Sequence, residues 1–553
     1  MRTVPIRLLM LAALLASADG AHAADPLESA TSPKPATAAK STMPRLVQKD
    51  GRFALLVDGA PFLVLGAQVN NSSAWPAVLP EVWPAIKAIH ANTVEMPVYW
   101  EQLEPKPGAF DYSVVDTLVT QSRKNGVRLV LLWFATWKNN GPAYVPLWLK
   151  QDPQRFARMQ TTEGSPLGSI SPFSTEMLEA DKHAFAALMR HLKKTDPQHT
   201  VILVQVENES GTWGAVRDYS PAAVREFDAA VPDPILAAMG KKPASGGNLR
   251  WKEAFGKNAD EFFHAWAVAR YVGEVAAAGK AEYPLPLYAN AALRDPIAPG
   301  PTVNWESGGP TDDVLPIWKA AAPALDLLAP DIYMDDYAKV DKVMELYRRP
   351  DNPLLIPEIS NAPQYARFFF LALGHETLGF SPFGIDFTNY ANYPLGAKKI
   401  NEEALAPFAL NYQLVGPMMR ELAQLGFEGK VHGVAEKKGT PAQSLEIGAW
   451  KVNVSYGLPQ FGFGDKPPGN PEPGGGAFVA QLADNQFLVA GFHCRLDFQA
   501  SAPKKQRDYV RVEEGTYENG KFKFRRLWNG DQTDWGLNFT SDPVVLRVTL
   551  GTF

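Results

Sequence analysis

Residues 201–211, with the sequence VILVQVENESG, constrain the fold of this chain more than any other stretch. The first six residues are apolar apart from Gln205, are mostly β-branched and include no Gly or Pro. This pattern is typical of a strand that is buried on both faces. The segment then turns acidic and polar at Glu207, Asn208 and Glu209. In a (β/α)8 barrel such a strand carries its last side chains to the mouth, where catalysis occurs. The alternative is an exposed acidic turn after a core strand.

A second segment of the same design lies downstream, at residues 353–360, PLLIPEIS. It is again a short apolar run, and it ends on a single carboxylate, Glu358. Two carboxylates at the ends of different barrel strands suit glycoside hydrolysis. One of them protonates the leaving oxygen, while the other attacks the anomeric carbon or activates water. Ser210 is not framed by a Gly-x-Ser-x-Gly elbow, so a serine nucleophile is not predicted.

Apolar strands alternate with helical patterns from residue 62 onwards, which predicts a parallel α/β architecture. Eight strands are predicted, at residues 62–67, 93–98, 128–134, 201–206, 286–289, 325–329, 354–356 and 379–383. Helices are predicted at residues 84–90, 112–125, 177–194 and 261–278. The fold class is therefore predicted to be α/β, a (β/α)8 TIM barrel. Residues 211–258 exceed what a simple βα unit needs and are predicted to be an insertion above the mouth.

The barrel is predicted to be one of two folded domains. Asp58-Gly59 between apolar runs predicts a small hairpin that leads into it, and the barrel domain is placed at residues 46–425. After about residue 430, short alternating segments are separated by Gly, Pro and Asn. This pattern predicts a smaller C-terminal antiparallel β-domain, a β-sandwich, at residues 430–553.

The N-terminus has the features of an export signal. Arg2 and Arg7 form a basic region, an apolar run follows, and Ala21-His-Ala23 is a small-x-small cleavage site, which predicts a signal peptide at residues 1–23. Residues 24–45 are rich in Ala, Pro, Ser, Thr and Lys and are predicted to be a disordered tether. The single cysteine, Cys494, cannot form an intramolecular disulfide. We therefore expect an exported bacterial protein, either periplasmic or secreted.

Charge and composition restrict the partners. The formal net charge of -5 argues against nucleic acid, and no stretch after the signal peptide is long and apolar enough for insertion into a membrane. The nine His residues form no His-Glu-x-x-His pattern and there is no cysteine cluster, so no metal site is predicted. No cofactor is predicted either, and the sequence leaves the oligomeric state open.

Three motifs resemble those of a known family. Gln205-Val-Glu-Asn-Glu209 resembles the acid/base signature of glycoside hydrolase family 35, the β-galactosidases. Ile356-Pro-Glu-Ile359 resembles the nucleophile strand of the wider clan of retaining (β/α)8 glycosidases, which includes family 42. Residues 92–108 are similar to the strand and loop that wall the terminal-sugar subsite in those families. The resemblance implies that Glu209 is the acid/base and Glu358 the nucleophile. It also implies that Asn208 holds the substrate's 2-hydroxyl or orients the nucleophile.

Four further residues are predicted to bind substrate. Tyr99 follows the second strand, and Trp137 and Asn139 follow the third. Tyr333 follows the sixth strand and is placed to donate a hydrogen bond to Glu358, which must stay ionised. Glu207 lies deeper and is predicted to be a buried carboxylate in a salt bridge within the barrel.

The chain departs from the family 35 pattern in the wall of the sugar pocket. Pro97 stands where those enzymes have Tyr, and Leu103 stands where they have His before the Glu-Pro pair. Their Ala-Glu-Trp after the third strand is replaced by ATWKN at residues 135–139. We therefore expect the pocket for the terminal sugar to be built differently.

The resemblance implies a retaining exo-β-glycosidase, a β-galactosidase acting on terminal β-galactosides of plant-type oligosaccharides or polysaccharides. The first alternative is another β-glycosidase of the clan: a glucosidase, a mannosidase or an endo-acting glycanase. The second is a non-catalytic barrel that binds sugar, against which the retention of both carboxylates argues.

Overall fold

The computed structural model describes residues 42–242, 248–457, 468–518 and 520–553. The predicted signal peptide and residues 24–41 of the predicted tether lie outside these ranges. Residues 42–44 have no regular secondary structure, and the first strand begins at Arg45. Within the described ranges, no helix combines the length and the apolar character needed to cross a membrane.

Three short antiparallel strands precede the barrel: β1 (Arg45–Lys49), β2 (Arg52–Val57) and β3 (Ala60–Pro61). Each is joined to the next by an Asp-Gly pair, and both pairs adopt positive φ angles. Asp58 has φ 56° and Gly59 has φ 80°. A two-residue hairpin turn of this kind needs left-handed backbone at both positions, which Asp and Gly tolerate. The predicted hairpin is therefore present.

Eight of the next ten strands close into a parallel barrel. The ten are β4 (Val64–Gln68), β5 (Thr93–Tyr99), β6 (Arg128–Lys138), β7 (Arg158–Gln160), β8 (Pro166–Ile170), β9 (Val201–Asn208), β10 (Leu287–Ala292), β11 (Leu327–Ile332), β12 (Ile356–Ile359) and β13 (Gly379–Pro382). Strands β7 and β8 form a separate hairpin in the long loop after β6. The others follow one another around the barrel in chain order, and β13 pairs with β4. The predicted fold class is confirmed, and each predicted strand overlaps an observed one.

The helices lie between and after these strands. They are α1 (Leu79–Ala88), α2 (Trp100–Leu103), α3 (Ser113–Lys124), α4 (Leu147–Lys150), α5 (Thr175–Thr195), α6 (Pro221–Phe227), α7 (Asp233–Ala238), α8 (Trp251–Phe255), α9 (Ala259–Glu282), α10 (Leu315–Ala321), α11 (Tyr337–Tyr347), α12 (Phe368–Gly374), α13 (Glu402–Val415) and α14 (Met419–Phe427). The four predicted helices correspond to α1, α3, α5 and α9. The predicted insertion after β9 contains the three short helices α6, α7 and α8.

A buried carboxyl group links three strands inside the barrel. Ser381 on β13 donates a hydrogen bond of 2.5 Å to Glu95 on β5, and Tyr288 on β10 donates one of 3.3 Å to the other oxygen of Glu95. Burial raises the pKa of Glu95 to about 8, so this group is largely neutral at pH 7. A Cβ on Gly66 of β4 would lie 1.9 Å from the Ser381 hydroxyl, so only glycine leaves room for this link.

The C-terminal region forms two antiparallel sheets. Their strands are β14 (Val431–Ala435), β15 (Ala442–Ile447), β16 (Trp450–Tyr456), β17 (Gly476–Ala483), β18 (Gln486–Phe492), β19 (Cys494–Ala500), β20 (Arg507–Glu518), β21 (Lys521–Leu527), β22 (Leu537–Phe539) and β23 (Val545–Thr552). The first sheet has the order β14-β17-β18-β23-β20-β21 and the second β15-β16-β19-β22. Apolar side chains from both sheets, such as Val452, Val489 and Phe498, form one core between them. This is the arrangement of a β-sandwich.

The six-stranded sheet is buried on both faces where it meets the barrel. Along β17, Ala477 and Val479 belong to the core of the sandwich, whereas Phe478 and Ala480 belong to the core that includes the barrel. Side chains of a strand alternate between its two faces, so one strand serves both cores. The interface between the two domains is therefore apolar, and its strands have no solvated face at this point.

Helix α12 packs directly against the sandwich at β14 and β17. The backbones of α12 and β14 approach so closely that a Cβ on Gly433 would lie 1.8 Å from the carbonyl oxygen of Phe370. A Cβ on Gly374 would lie 2.7 Å from the backbone nitrogen of Gly433. Because neither position has room for a side chain, the two domains are held in one fixed arrangement here.

Phe478→Ala should lower the free energy of unfolding by about 3–5 kcal/mol, because it removes a fully buried ring from the interface and leaves a cavity. The matched control is Phe524→Ala on β21, where the ring is 54% exposed and the change should stay within about 0.5 kcal/mol. Denaturant titration followed by tryptophan fluorescence measures both. Equal effects would mean that the interface does not contribute to stability.

Candidate active site

Three carboxyl groups converge at the mouth of the barrel. Glu209 follows β9, Asp331 lies near the end of β11 and Glu358 lies near the end of β12. One oxygen from each lies within 4.8 Å of the others, and in the described part of the chain this is the one group of three acidic, His or Cys side chains that converges in this way. Catalytic carboxyl groups are about 5–5.5 Å apart in retaining glycosidases and about 6.5–9.5 Å apart in inverting ones. The upper limit of 4.8 Å between these oxygens lies below the separation given for inverting pairs.

Glu358 accepts hydrogen bonds on both of its oxygens. Gln68 at the end of β4 donates one through Nε2 at 2.9 Å, and the Tyr333 hydroxyl donates the other. Glu358 is itself only 5% exposed, so these donors replace the water that an ionised carboxylate would otherwise need. The hydrogen bond predicted for Tyr333 is present. Gln68 was not predicted, because nothing in the sequence around it indicates what it faces.

Glu209 is held by groups from two neighbouring strands. Its backbone N–H donates to Oδ1 of Asn290 at 3.0 Å, and its side chain accepts a hydrogen bond of 2.7 Å from Nδ2 of Asn139. The Lys138 ammonium lies 4.0 Å from the same carboxyl oxygen. Asn139 thus touches one of the two catalytic candidates, and its predicted contact with sugar stays a prediction.

The two catalytic candidates have different electrostatic surroundings. Burial, and to a smaller extent the charges of Glu358 and Glu306, raise the pKa of Glu209 to about 8, although Lys138 acts to lower it. Glu209 is therefore largely protonated at pH 7 and can act as a general acid. The two hydrogen bonds to Glu358 stabilise its ionised form, which a nucleophile needs.

Asp331 is a site residue that the sequence analysis missed. It is 2% exposed; its Oδ2 accepts a hydrogen bond of 2.6 Å from Asn290, and its Oδ1 has no partner. Burial, together with the charges of Glu358 and Glu209, raises its pKa well above the ordinary value. A neutral Asp331 adds no third negative charge to the site. In this segment the sequence analysis predicted a role for Tyr333 only.

Three carboxyl oxygens that converge in this way can also act as ligands of a divalent cation. Glu358 and Glu209, however, already accept hydrogen bonds from Gln68, Tyr333 and Asn139. The Lys138 ammonium adds a positive charge beside Glu209. The protein thus balances the charge of these carboxyl groups with its own donors.

Asn208 and Trp137 are buried with polar atoms that lack partners. Both polar side-chain atoms of Asn208 are out of contact with water and make no hydrogen bond. The same is true of the indole N–H of Trp137. A buried amide with neither polar atom paired is costly in a folded protein. Neither Asn208 nor Trp137 has exposed surface, and their predicted contacts with substrate stay predictions.

Tyr99 is buried within the wall of the mouth. It has no exposed surface; its hydroxyl accepts a hydrogen bond of 3.1 Å from the backbone N–H of Ala74, and its ring stacks on Trp75 and Tyr144. A sugar contact for Tyr99 stays a prediction. Glu104, in the loop after β5, accepts hydrogen bonds of 2.8 Å from Trp100 and 2.7 Å from Gly108 and shapes that loop.

Glu207 is fully buried, as predicted, but it has no cationic partner in the described residues. Its Oε2 accepts a hydrogen bond of 2.7 Å from the backbone N–H of Trp137. Burial and the neighbouring Asp181 carboxyl raise its pKa well above the ordinary value. The salt bridge was the wrong expectation, since a neutral carboxyl needs no counter-charge.

The backbone is irregular where β6 and β9 reach the mouth. Glu207 has φ 62° and Glu209 has φ 45°, while Asn139 and Asn140 have φ 51° and 61°. The pairing between the two strands shifts between Trp133 and Lys138. Left-handed conformations of non-glycine residues are costly and concentrate at functional sites. Here they turn Glu209 and Asn139 towards each other.

Two exposed tryptophans stand on the rim. Trp75 lies in the loop after β4 and is 38% exposed, and Trp213 lies in the loop after β9 and is 46% exposed. Trp213 donates a hydrogen bond of 2.8 Å to Glu306, which also accepts one of 3.2 Å from Asn140. Single exposed apolar side chains are normal on protein surfaces, so exposure alone assigns these two rings no role. Neither tryptophan was singled out from the sequence.

Family comparisons match two parts of the chain. Residues 73–280 match the glycoside hydrolase family 42 model, described as "Beta-galactosidase", and residues 408–540 match a model described as "Domain of unknown function (DUF5597)". Residues 73–280, which form the first half of the barrel, are therefore similar to that family. The first match includes Glu209 and ends before Asp331 and Glu358. It supports the wider clan resemblance, and the finer assignment to family 35 stays a prediction.

Individual relatives are distant. "Beta-galactosidase 11" from Arabidopsis thaliana is 30% identical over 116 residues, which are 19% of this chain and 13% of that protein's length. A β-galactosidase from Bacillus circulans sp. alkalophilus is 13% identical, with a TM-score of 0.47 over 65% of this chain and 57% of the other. The exo-β-1,4-mannosidase from an Opitutaceae bacterium is 15% identical, with a TM-score of 0.41 over 68% and 63%. Likenesses this weak carry no argument about activity.

Because Glu209 must be protonated to act as an acid, kcat/KM should fall as the pH rises through about 8. Glu306→Gln removes a charge that raises the pKa of Glu209, so this basic limb should move to lower pH. Lys138→Met removes the charge that lowers this pKa and should move the limb to higher pH, each shift being about one unit or less. Glu104→Gln is the matched control, a buried carboxyl in another loop, and should move nothing. Shifts of the same sign in the first two variants would contradict the assignment of Glu209.

Proposed function

We propose that the protein is a retaining exo-β-glycosidase, specifically a β-galactosidase that acts on terminal β-galactosides of plant-type oligosaccharides or polysaccharides. The observation that carries the proposal is the pair Glu209 and Glu358: one oxygen of each lies within 4.8 Å of the other, and the pKa of Glu209 is raised to about 8. The β-galactosidase-like match over residues 73–280 supports the choice of sugar. Export of the mature chain to the periplasm or medium is part of the same proposal.

In the first step Glu358 attacks the anomeric carbon while Glu209 gives its proton to the glycosidic oxygen. The bond to the leaving group breaks, and a glycosyl ester on Glu358 forms. The negative charge on Glu358 disappears at this point, which lowers the pKa of Glu209 because that charge had raised it. Glu209 is thereby prepared to act as a base.

In the second step ionised Glu209 takes a proton from water, and the resulting hydroxide attacks the anomeric carbon. The ester bond breaks, the sugar leaves with its original β configuration, and Glu209 holds its proton again. Asn139 and Lys138 stay beside Glu209 through both steps and stabilise its ionised form. Tyr333 and Gln68 hold the Glu358 carboxyl in position for attack.

The second candidate is another β-glycosidase of the clan, which would act on a different sugar. Pro97 and Leu103 stand where the family 35 pattern has other residues, and Tyr99 is buried within the wall. The differences at Pro97 and Leu103 concern the wall of the sugar pocket and leave Glu209 and Glu358 in place. A panel of nitrophenyl β-glycosides separates the candidates, and a preference for the glucoside or mannoside would replace the galactosidase proposal.

Variants of the two carboxylates should separate their roles. Glu358→Ala should abolish turnover of every glycoside, because the covalent intermediate cannot form. Glu209→Ala should lose about 10²–10⁴-fold on natural glycosides but still form the intermediate from a dinitrophenyl glycoside, whose leaving group needs no proton. Steady-state and burst kinetics measure both.

Azide provides the stereochemical readout. It attacks the intermediate without base catalysis, so it should speed turnover of Glu209→Ala and give a β-glycosyl azide. With Glu358→Ala it should take the place of the missing nucleophile and give the α product. The reverse pattern would exchange the two roles, and wild-type activity in both variants would exclude both residues.

A further inference from the structure

Asp181 and Glu207 form a second pair of buried carboxyl groups, separate from the three at the mouth. Asp181 lies on α5 and Glu207 lies near the end of β9, and neither has exposed surface. A hydrogen bond joins the two carboxyl groups. Because an ionised carboxylate only accepts hydrogen bonds, two carboxyl groups can bond to each other only when one of them is protonated. The pair therefore holds a proton.

The surroundings of the pair place this proton on Glu207. Asp181 accepts a hydrogen bond of 2.9 Å from the indole of Trp133 and one of 2.5 Å from the hydroxyl of Thr136. The Tyr271 hydroxyl donates a third, at 3.4 Å. Burial raises the pKa of both carboxyl groups, but these donors act to lower that of Asp181, whereas Oε1 of Glu207 receives no N–H or hydroxyl donor. Glu207 is therefore the acid of the pair, and it donates to ionised Asp181.

The other oxygen of Glu207 completes the hydrogen bonding of β6. The pairing of β6 with β9 is interrupted between Trp133 and Lys138. In this gap the backbone N–H of Trp137 donates 2.7 Å to Oε2 of Glu207, and the N–H of Ala135 faces the same carboxyl group. A buried backbone N–H without a partner is costly. The Glu207 side chain thus replaces the strand partner that the irregularity removes.

The residues that follow Trp137 reach the acid/base. Asn139 donates a hydrogen bond of 2.7 Å to Glu209, and the Lys138 ammonium lies 4.0 Å from the same oxygen. Only Lys138 separates Asn139 from the backbone N–H that Glu207 holds. The Trp137 ring also packs edge-on against Tyr271, at 4.9 Å between ring centres. The carboxyl pair and its donors therefore fix the segment from which Asn139 reaches Glu209.

We propose that Glu207 is a positioning residue, which shares one proton with Asp181 and holds the Trp137 segment so that Asn139 contacts Glu209. The inference rests on the proposed function and deepens it, because it adds to the site a residue that lies behind the reacting groups. The shared proton lets the two carboxyl groups be buried with a single negative charge, which the donors around Asp181 stabilise.

The test compares a substrate that needs an acid with one that does not. We would measure kcat/KM for a disaccharide and a dinitrophenyl glycoside of the sugar that the nitrophenyl panel selects. Glu207→Met removes both oxygens, whereas Glu207→Gln keeps an acceptor for Trp137 and supplies a donor to Asp181. The matched control is Glu104→Met, which removes a buried carboxyl that also accepts two hydrogen bonds but lies in another loop. Thermal midpoints check that each variant folds.

Glu207→Met should lower kcat/KM for the disaccharide by about 10–10²-fold, because misplaced catalytic groups are that costly, and should leave the dinitrophenyl glycoside near the wild-type value. Its basic limb should also move to higher pH, since Glu209 loses a donor to its ionised form. Asn139→Ala should give the same pattern, and the double variant should lose no more, because one residue acts through the other. Glu207→Gln and the control should keep the wild-type ratio between the two substrates.

A general structural role of Glu207 would give a different result. Equal losses on both substrates would overturn the inference, as would additive losses with Asn139→Ala or a Glu207→Gln variant no more active than Glu207→Met. If Glu207→Met does not fold, Asp181→Ala replaces it, because it removes the group that orients the Glu207 carboxyl. The same selective loss should then appear in weaker form, and equal losses would again overturn the inference.

The shared proton has a readout that does not depend on catalysis. In infrared difference spectra at pH 7, Glu207→Gln should remove a band of a protonated carboxyl group from the wild-type spectrum. A spectrum that loses no such band would overturn the pairing, while hydrolysis by the wild type would leave the proposed function standing. If the wild type hydrolyses no glycoside, the proposed function fails and the positioning role falls with it, whatever the infrared spectra show.

Discussion

Burial of carboxyl groups at the barrel mouth is the constraint on which the rest of the site depends. Glu209, Asp331 and Glu358 place oxygens within 4.8 Å of one another, in surroundings from which water is largely excluded. Like charges this close cannot all be ionised, because their repulsion is weakly screened at low dielectric. The protein gives Glu358 two hydrogen-bond donors, whereas burial raises the pKa values of Glu209 and Asp331. The proposed double displacement needs one carboxylate and one carboxylic acid.

The groups that hydrogen-bond to each carboxyl of the site come from different strands of the closed barrel. Gln68 ends β4 and reaches Glu358 near the end of β12, while Asn290 on β10 contacts both the Glu209 backbone and Asp331. The Gln68 contact exists because β13 pairs with β4 and completes the ring of strands, whereas Asn290 lies on a strand that pairs directly with β9 and with β11.

The sandwich packs against the part of the barrel that follows the Glu358 strand. Its six-stranded sheet is buried on both faces where it meets the barrel, and β14 packs against α12, the helix that follows Glu358 in the chain. Arg367, at the start of α12, contacts carbonyl oxygens of both domains. The contacts that join the two domains are thus made by the segment that follows the Glu358 strand.

The sequence by itself determined the eight strands, the sandwich and the positions of Glu209, Glu358 and Tyr333. These depend on local patterns, namely the period of apolar residues and the place of a polar residue just beyond a strand's end. The sequence did not indicate that Gln68, Asp331 and Glu306 belong to the site. It also did not indicate that Glu207 has no counter-charge or that Tyr99 is fully buried. Whether a carboxyl is ionised, and which side chain it faces, depends on distances between residues far apart in the chain. Those distances exist only once the barrel has closed and excluded water, so only the tertiary structure decided them.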